Sequence, residues 1–267
     1  MTFPLFRKVA KVVSIVLLCL GAVVLIPFEQ RLLGYGILTV GAATLFATPR
    51  AYARDIVLIY LSIGILGITP IDTSITLSHM LLMGGLLACA VGIPFLITRY
   101  VYKEKSIVYP LGKHTWTRGH IGYLLFAFVL SYLILPFWMQ TTGGYTHWNF
   151  EITFASLGLL FIGTNSLGIW DELFFVVTAL GLMRRHMPFF WANMAQAVMF
   201  TSFLYELGFR GWAPFLIFPF ALLQGIVFKK TENLVYVIAI HLTLDLVLYL
   251  ALINAHHPDL IPIFITR

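Results

Sequence analysis

The chain has 267 residues, 60% of them hydrophobic and only 10% charged, with a mean hydropathy of +0.92. A soluble domain carries roughly 25% charged residues, so the composition excludes a soluble globular domain and places most of the mass in a bilayer. The net charge of +6 does not indicate nucleic acid: no basic run is interleaved with aromatics outside the apolar segments, and an excess of basic loop residues is what orients membrane helices.

The start, "MTFPLFRKVAKVVSIVLLCLGAVVLIPF", sets basic residues before an apolar stretch. It has no small-residue cleavage site, and it is expected to be the first spanning helix, retained rather than removed. Crossing roughly 30 Å of hydrocarbon takes about 20 apolar residues. Backbone polar groups must be satisfied internally there, so apolar runs read as helices. They are predicted over about residues 9–28, 32–47, 55–69, 79–98, 119–138, 150–169, 171–183, 190–207, 212–228 and 234–253. The fold class expected is all-α, a polytopic transmembrane helical bundle of about 8–10 membrane segments. Its N-terminal helices would occupy residues 1–118 and its functional core residues 119–267. Segments 32–47 and 55–69, flanking "ATPRAYARD", are short enough to pair as a hairpin. Cys19 and Cys89 lie in apolar runs and read as small hydrophobes. Trp138, Trp148, Trp191 and Trp212 stand near segment ends and fit an interfacial aromatic belt.

Basic residues predict the topology. With a cytoplasmic N-terminus, all but Arg31, Arg210 and Arg267 of the 17 Lys and Arg residues, Lys113 among the majority, sort to one side. The loop "QTTGGYTHWN" has neither and falls on the other. The expected location is a cell (inner) membrane, crossed many times. This sorting requires residues 150–183 to make an odd number of crossings, yet they are too many for one straight helix and too few for three. A helix broken near "GTNSLGIWD", a re-entrant half, or a failure of the charge rule would each reconcile the count.

Ionisable residues intrude on the last apolar segments. Asp171, Glu172, Glu206, His241 and Asp245 all fall within or at the edge of them. Each such group costs at least about 2.5–3.5 kcal/mol at mid-membrane, so five together imply one shared polar cavity. His241 and Asp245, four apart, share a helix face; that spacing suits a joint metal ion, or a carboxylate orienting an imidazole. Plainer readings stand beside this one. Asp171 could cap a helix start, His241 and Asp245 could satisfy each other, and Glu206 could pair with Arg210. His79, His114, His120, His147 and His186 fall at loops or interfaces, and His256 and His257 at a polar terminus. The first half of the chain shows no comparable cluster.

The order "DELFF", then "MRRHMPFFWANMAQAVMF" and an apolar hairpin, then "AIHLTLD" resembles the CPBP family of intramembrane metalloproteases over about residues 167–253. This is the CAAX protease and bacteriocin-processing group, also called Abi, which includes the type II CAAX prenyl endopeptidases. Its members carry EExxxR, FxxxH and HxxxN or HxxxD on successive helices. The resemblance puts Asp171 at the general-base position, with Glu172 supporting it, and His241 and Asp245 at the metal or oxyanion site. Val176 replaces the motif arginine, and in "FTSFL" Leu204 replaces the motif histidine. Glu206, two residues on, could add an oxygen ligand for a divalent metal such as zinc if the helix changed register. The implied activity is an intramembrane endopeptidase using a carboxylate- or metal-activated water on a membrane-associated or lipid-modified peptide. The lipid bilayer is its surrounding partner and nucleic acid is not one. The alternative is an inactive scaffold or binding protein on the same fold. A transporter ranks lower, since no internal repeat is present.

Overall fold

The computed structural model describes residues 3–112 and 115–265, so Lys113, His114 and Arg267 lie outside the described residues. Nine helices run through it, counting the continuous run Phe154–Met183 as one. They are α1 Phe3–Leu25, α2 Arg31–Thr44, α3 Arg50–Leu66, α4 Leu77–Val101, α5 Arg118–Thr142, α6 Phe154–Met183, α7 Phe189–Glu206, α8 Pro214–Thr231 and α9 Leu234–His256. No strand occurs among the described residues. By length and composition α1, α4, α5, α6, α8 and α9 can each cross a membrane. The chain is a polytopic helical bundle, as its composition requires.

Local chemistry sets the helix ends. Thr117 accepts from the backbone N–H of His120 while the His120 ring accepts from that of Thr117, a capping box that starts α5. Thr153 and Asn233 cap α6 and α9 in the same sense, accepting from the N–H groups of Ser156 and Tyr236. Gly143, at φ 66°, ends α5 in the left-handed conformation that glycine adopts without strain.

The helices that carry the later motifs are packed by aromatic rings and small residues. Trp170 and Phe175 on α6 meet Phe200 and Phe203 on α7 at centroid separations of 4.8 to 5.9 Å, and Phe174 packs between its own neighbours Trp170 and Phe175. Asn193 and Gln196 on α7 donate to the carbonyls of Leu222 and Ala221 on α8 at 3.0 and 2.9 Å. Such side-chain bonds hold helices together where lipid removes the hydrophobic drive. Apolar side chains on α1, α4 and α5, such as Val12, Leu81 and Phe126, point outward.

The two segments expected at 150–169 and 171–183 are one helix. Phe154–Met183 is long and apolar enough to cross a membrane once, and no break occurs at "GTNSLGIWD". The backbone instead changes from α to π over Glu172–Ala179, and the Thr178 hydroxyl donates to the Leu173 carbonyl five residues back at 2.8 Å. Asp171 is helical, at φ −55° and ψ −44°, so it caps nothing.

At one end of the bundle Arg185 donates to Asp55 at 2.7 Å and to Glu104 at 3.1 Å, and Arg54 pairs with Glu104 at 3.3 Å. His186 closes on the same Asp55 oxygen at 2.6 Å. The Arg185 guanidinium beside Glu104 holds its carboxyl below the ordinary range. Arg54 and Arg185 thus share one end, as the charge sorting required. The cluster corrects one expectation: the first half of the chain does contain a buried acid, Asp55. It was hidden because "ARD" reads as loop charge. Trp138 and Trp148 are likewise buried rather than in a belt, Trp138 stacking on Phe209 at 5.0 Å and donating to the Arg210 carbonyl. His256 is half-buried, its ring 3.1 Å from the Tyr145 carbonyl; His257 is exposed. Both cysteines are free.

Asp55→Asn keeps the shape and removes the charge that Arg185 and His186 share. It is expected to lower stability by about 2 kcal/mol, the worth of a hydrogen bond to a charged group, read as a lower melting temperature in detergent. Glu104→Gln, at the exposed side of the cluster, should change the melt by no more than about 0.5 kcal/mol. Equal losses from the two would contradict the burial argument.

Candidate functional site

Residues from three helices meet at one imidazole. The α-to-π junction of α6 supplies Asp171 and Glu172, α9 supplies His241 and Asp245, and α8 supplies Gln224. His241 Nδ1 lies 2.8 Å from Glu172 Oε1. Its Nε2 lies 3.8 Å from Asp171 Oδ2 and 3.9 Å from Asp245 Oδ1. The first separation is a hydrogen bond. The other two are too long for one, and suit a small polar group held between the nitrogen and either carboxylate. All four side chains are buried. Both oxygens of Asp171 and Oδ2 of Asp245 have no protein partner, which marks a polar centre rather than a closed structural network.

Packing fixes the ring. Phe200 on α7 and Phe220 on α8 lie 5.9 and 5.4 Å from it, the second edge-on at 86°. A methyl group at Gly168 on α6 would run into Asp245 Oδ2 and the His241 ring. Glycine there is what lets α6 and α9 approach closely enough for the acids of one to reach the histidine of the other.

Asp171, His241 and Asp245 also line a cavity of about 290 Å³ whose remaining wall is almost wholly apolar. Phe126 and Leu130 on α5 and Phe215 and Leu223 on α8 belong to that wall and are exposed on the outside of the bundle. The cavity therefore reaches the lipid-facing surface between α5 and α8, with the polar centre at its inner end. Leu204 lines it too, and Val176 is fully buried nearby on α6.

The structure brings together four of the five site residues expected from the sequence. Glu206 is not among them. It pairs with Arg210 at 3.3 Å and lines a separate small cavity with Glu29 and Arg31. Among the described residues no group of three or more His, Cys, Asp or Glu is arranged to hold a metal ion. One nitrogen of the His241 imidazole is committed to Glu172, and among the described residues no second histidine and no cysteine lines the cavity, so the donor set is poorer in nitrogen and sulfur than zinc sites commonly are.

Sequence reasoning missed Gln224. Its Nε2 donates to Glu172 Oε1 at 2.7 Å and to the Val237 carbonyl of α9 at 3.1 Å. The signal was available, since an amide in "FALLQGIV" is as foreign to lipid as a carboxylate, but a neutral group draws less notice. Gly168 was missed because nothing in one sequence distinguishes a close-approach glycine from an idle one.

These features define a multi-pass helical membrane protein with an ionisable centre enclosed between its last helices. Residues 153–247 match the family model of type II CAAX prenyl endopeptidases, Rce1-like. Across that stretch, from α6 into α9, the chain is similar to the Rce1-like branch of the CPBP group, in line with the order of motifs. No curated protein and no solved structure matches the chain.

Gly168→Ala should cost about 1–3 kcal/mol, as overpacking does, even though alanine is the better helix former. Gly158→Ala, on the same helix with open space around it, should be neutral or stabilising by up to about 1 kcal/mol. Paired thermal melts test this, and a neutral Gly168→Ala would mean that α6 and α9 are not so close.

Proposed function

We propose that the protein is an intramembrane endopeptidase that hydrolyses a peptide bond of a membrane-associated or lipid-modified chain, with Asp171 as general base. The observation that carries this reading is the convergence of Asp171, His241 and Asp245 at the inner end of an apolar cavity that reaches the lipid-facing surface. The Rce1-like match of the same helices supports the reaction class. On this reading residues 119–267 form the catalytic core, and the helices of residues 1–118 pack against it.

The residues present can carry the chemistry without a metal. A water hydrogen-bonded to Asp171 attacks the carbonyl carbon of the scissile bond, and Asp171 takes its proton. The carbonyl oxygen gains negative charge as the new C–O bond forms. His241, held through Nδ1 by Glu172, turns Nε2 towards that charge and in its protonated state donates to it. The C–N bond then breaks and Asp171 returns the proton to the leaving amine. Asp245 lies 3.9 Å from the same Nε2 and adds negative charge that favours the protonated ring. The apolar wall excludes bulk water, which strengthens each of these interactions.

Leu204 favours a second reading. It stands at the cavity where the family pattern has a histidine, and a site so depleted suits a scaffold that binds a peptide or lipid-modified chain without cutting it.

Purified protein given a membrane-tethered or prenylated peptide separates the two. Asp171→Asn and His241→Gln should each lower turnover by about 10²–10⁴, the usual worth of a general acid or base, while Glu206→Gln leaves it unchanged. Binding without cleavage, equal in wild type and both variants, would leave the scaffold reading standing. Under the proposed mechanism a chelator leaves turnover intact. Loss of turnover with chelator and its return with added zinc would reject the carboxylate mechanism.

A further inference from the structure

We infer that Gln224 is a positioning residue that fixes which nitrogen of His241 works at the cavity. The argument starts from an acceptor that cannot change sides. The Val237 backbone carbonyl can only accept, so the Gln224 group 3.1 Å from it is the amide nitrogen rather than the amide oxygen. That same nitrogen lies 2.7 Å from Glu172 Oε1, so its second hydrogen goes to the carboxylate. Both donors of the amide are then committed, one to a rigid helix backbone and one to Oε1. Glu172 Oε1 also meets His241 Nδ1 at 2.8 Å. An oxygen already receiving one donor serves as the acceptor for the second, so Nδ1 carries a hydrogen. Nε2 is left as the variable nitrogen, and it is the one that faces Asp171 and Asp245.

The chain Val237 carbonyl, Gln224, Glu172, His241 therefore runs from the backbone of α9 through α8 and α6 and back to α9. It is built from buried side chains throughout. Gln224 itself touches neither the cavity nor the reacting atoms, so its effect passes entirely through Glu172. With Leu204 at the place of the motif histidine, His241 is the one imidazole lining the cavity among the described residues. The choice of its working nitrogen then has no second ring to correct it. The assignment of nitrogens stands on this geometry alone. Its consequence for turnover rests on the proposed endopeptidase reading.

The test is ¹⁵N NMR of histidine-labelled full-length protein in detergent, the His241 signals assigned by their loss in His241→Gln. Wild type should show Nδ1 in the protonated range at every pH at which the protein stays folded, with any loss of a proton confined to Nε2. Gln224→Met, close to Gln in volume, should give a mixture in which Nδ1 also loses its proton. Glu172→Gln is the second variant, and should do the same if Gln224→Met does not fold. A wild-type ring protonated only at Nε2 overturns the inference, as does an unchanged signature in both folded variants. If the protein cleaves peptide, Gln224→Met should lower kcat at least 10-fold with little change in KM, whereas equal kcat in variant and wild type overturns the positioning role. If it cleaves nothing, the endopeptidase reading fails and the NMR result still decides the assignment.

Discussion

One hydrogen bond organises the last four helices: His241 Nδ1 to Glu172 Oε1 at 2.8 Å. A carboxylate or an imidazole left alone in hydrocarbon is expensive, and α6 and α9 each carry ionisable groups at mid-length. Neither helix can be stable there without the other. Once they pair, their separation is set to within the reach of a side chain, and the rest of the local design follows from that distance. Gly168 has no side chain because Asp245 occupies the space. Gln224 sits where it can reach both helices.

The bond also explains why two acids stand side by side in the chain. Successive residues of a helix project about 100° apart, so Asp171 and Glu172 cannot face one point from the same direction. Here they need not. The His241 ring sits between them, with Glu172 at one nitrogen and Asp171 towards the other. One acid is spent on holding the ring, and its neighbour stays unpartnered at the cavity. Adjacent carboxylates with such unequal surroundings are what a division of roles between positioning and chemistry looks like.

How much of this was legible in the sequence depended on the kind of signal. Apolar length gave the helices, because lipid permits little else, and the i, i+4 pair His241 and Asp245 gave a shared face. Intramembrane charge gave four of the site residues, since its cost leaves few innocent explanations. Two features were not readable, each because it is settled in three dimensions. Asp55 looked like a loop charge until Arg185, 130 positions on, closed over it. The run up to Glu172 left a break, a re-entrant half and a failed charge rule all open, because hydropathy registers a polar interruption and cannot tell a wider helical turn from an unwound one. Glu206 was readable two ways, near the missing histidine position or paired with Arg210 one turn on, and the structure takes the second.

The α-to-π change bears on the site directly. A π turn inserts a residue into the helix and rotates everything after it relative to what came before, and such turns recur at functional positions. In α6 it begins at Glu172, directly after Asp171. Upstream, Gly168 and Asp171 face α9 and the cavity. Downstream, Phe175 meets Phe200 and Phe203 of α7, a contact that Trp170 joins from just before the junction. A regular α-helix would have to keep both faces in one register over 30 residues. The wider turn lets one uninterrupted helix both present an acid to a polar cavity and bury its aromatic face. The thread of hydrogen bonds that crosses at this junction, through Glu172, ties the register of the two halves to the orientation of the histidine.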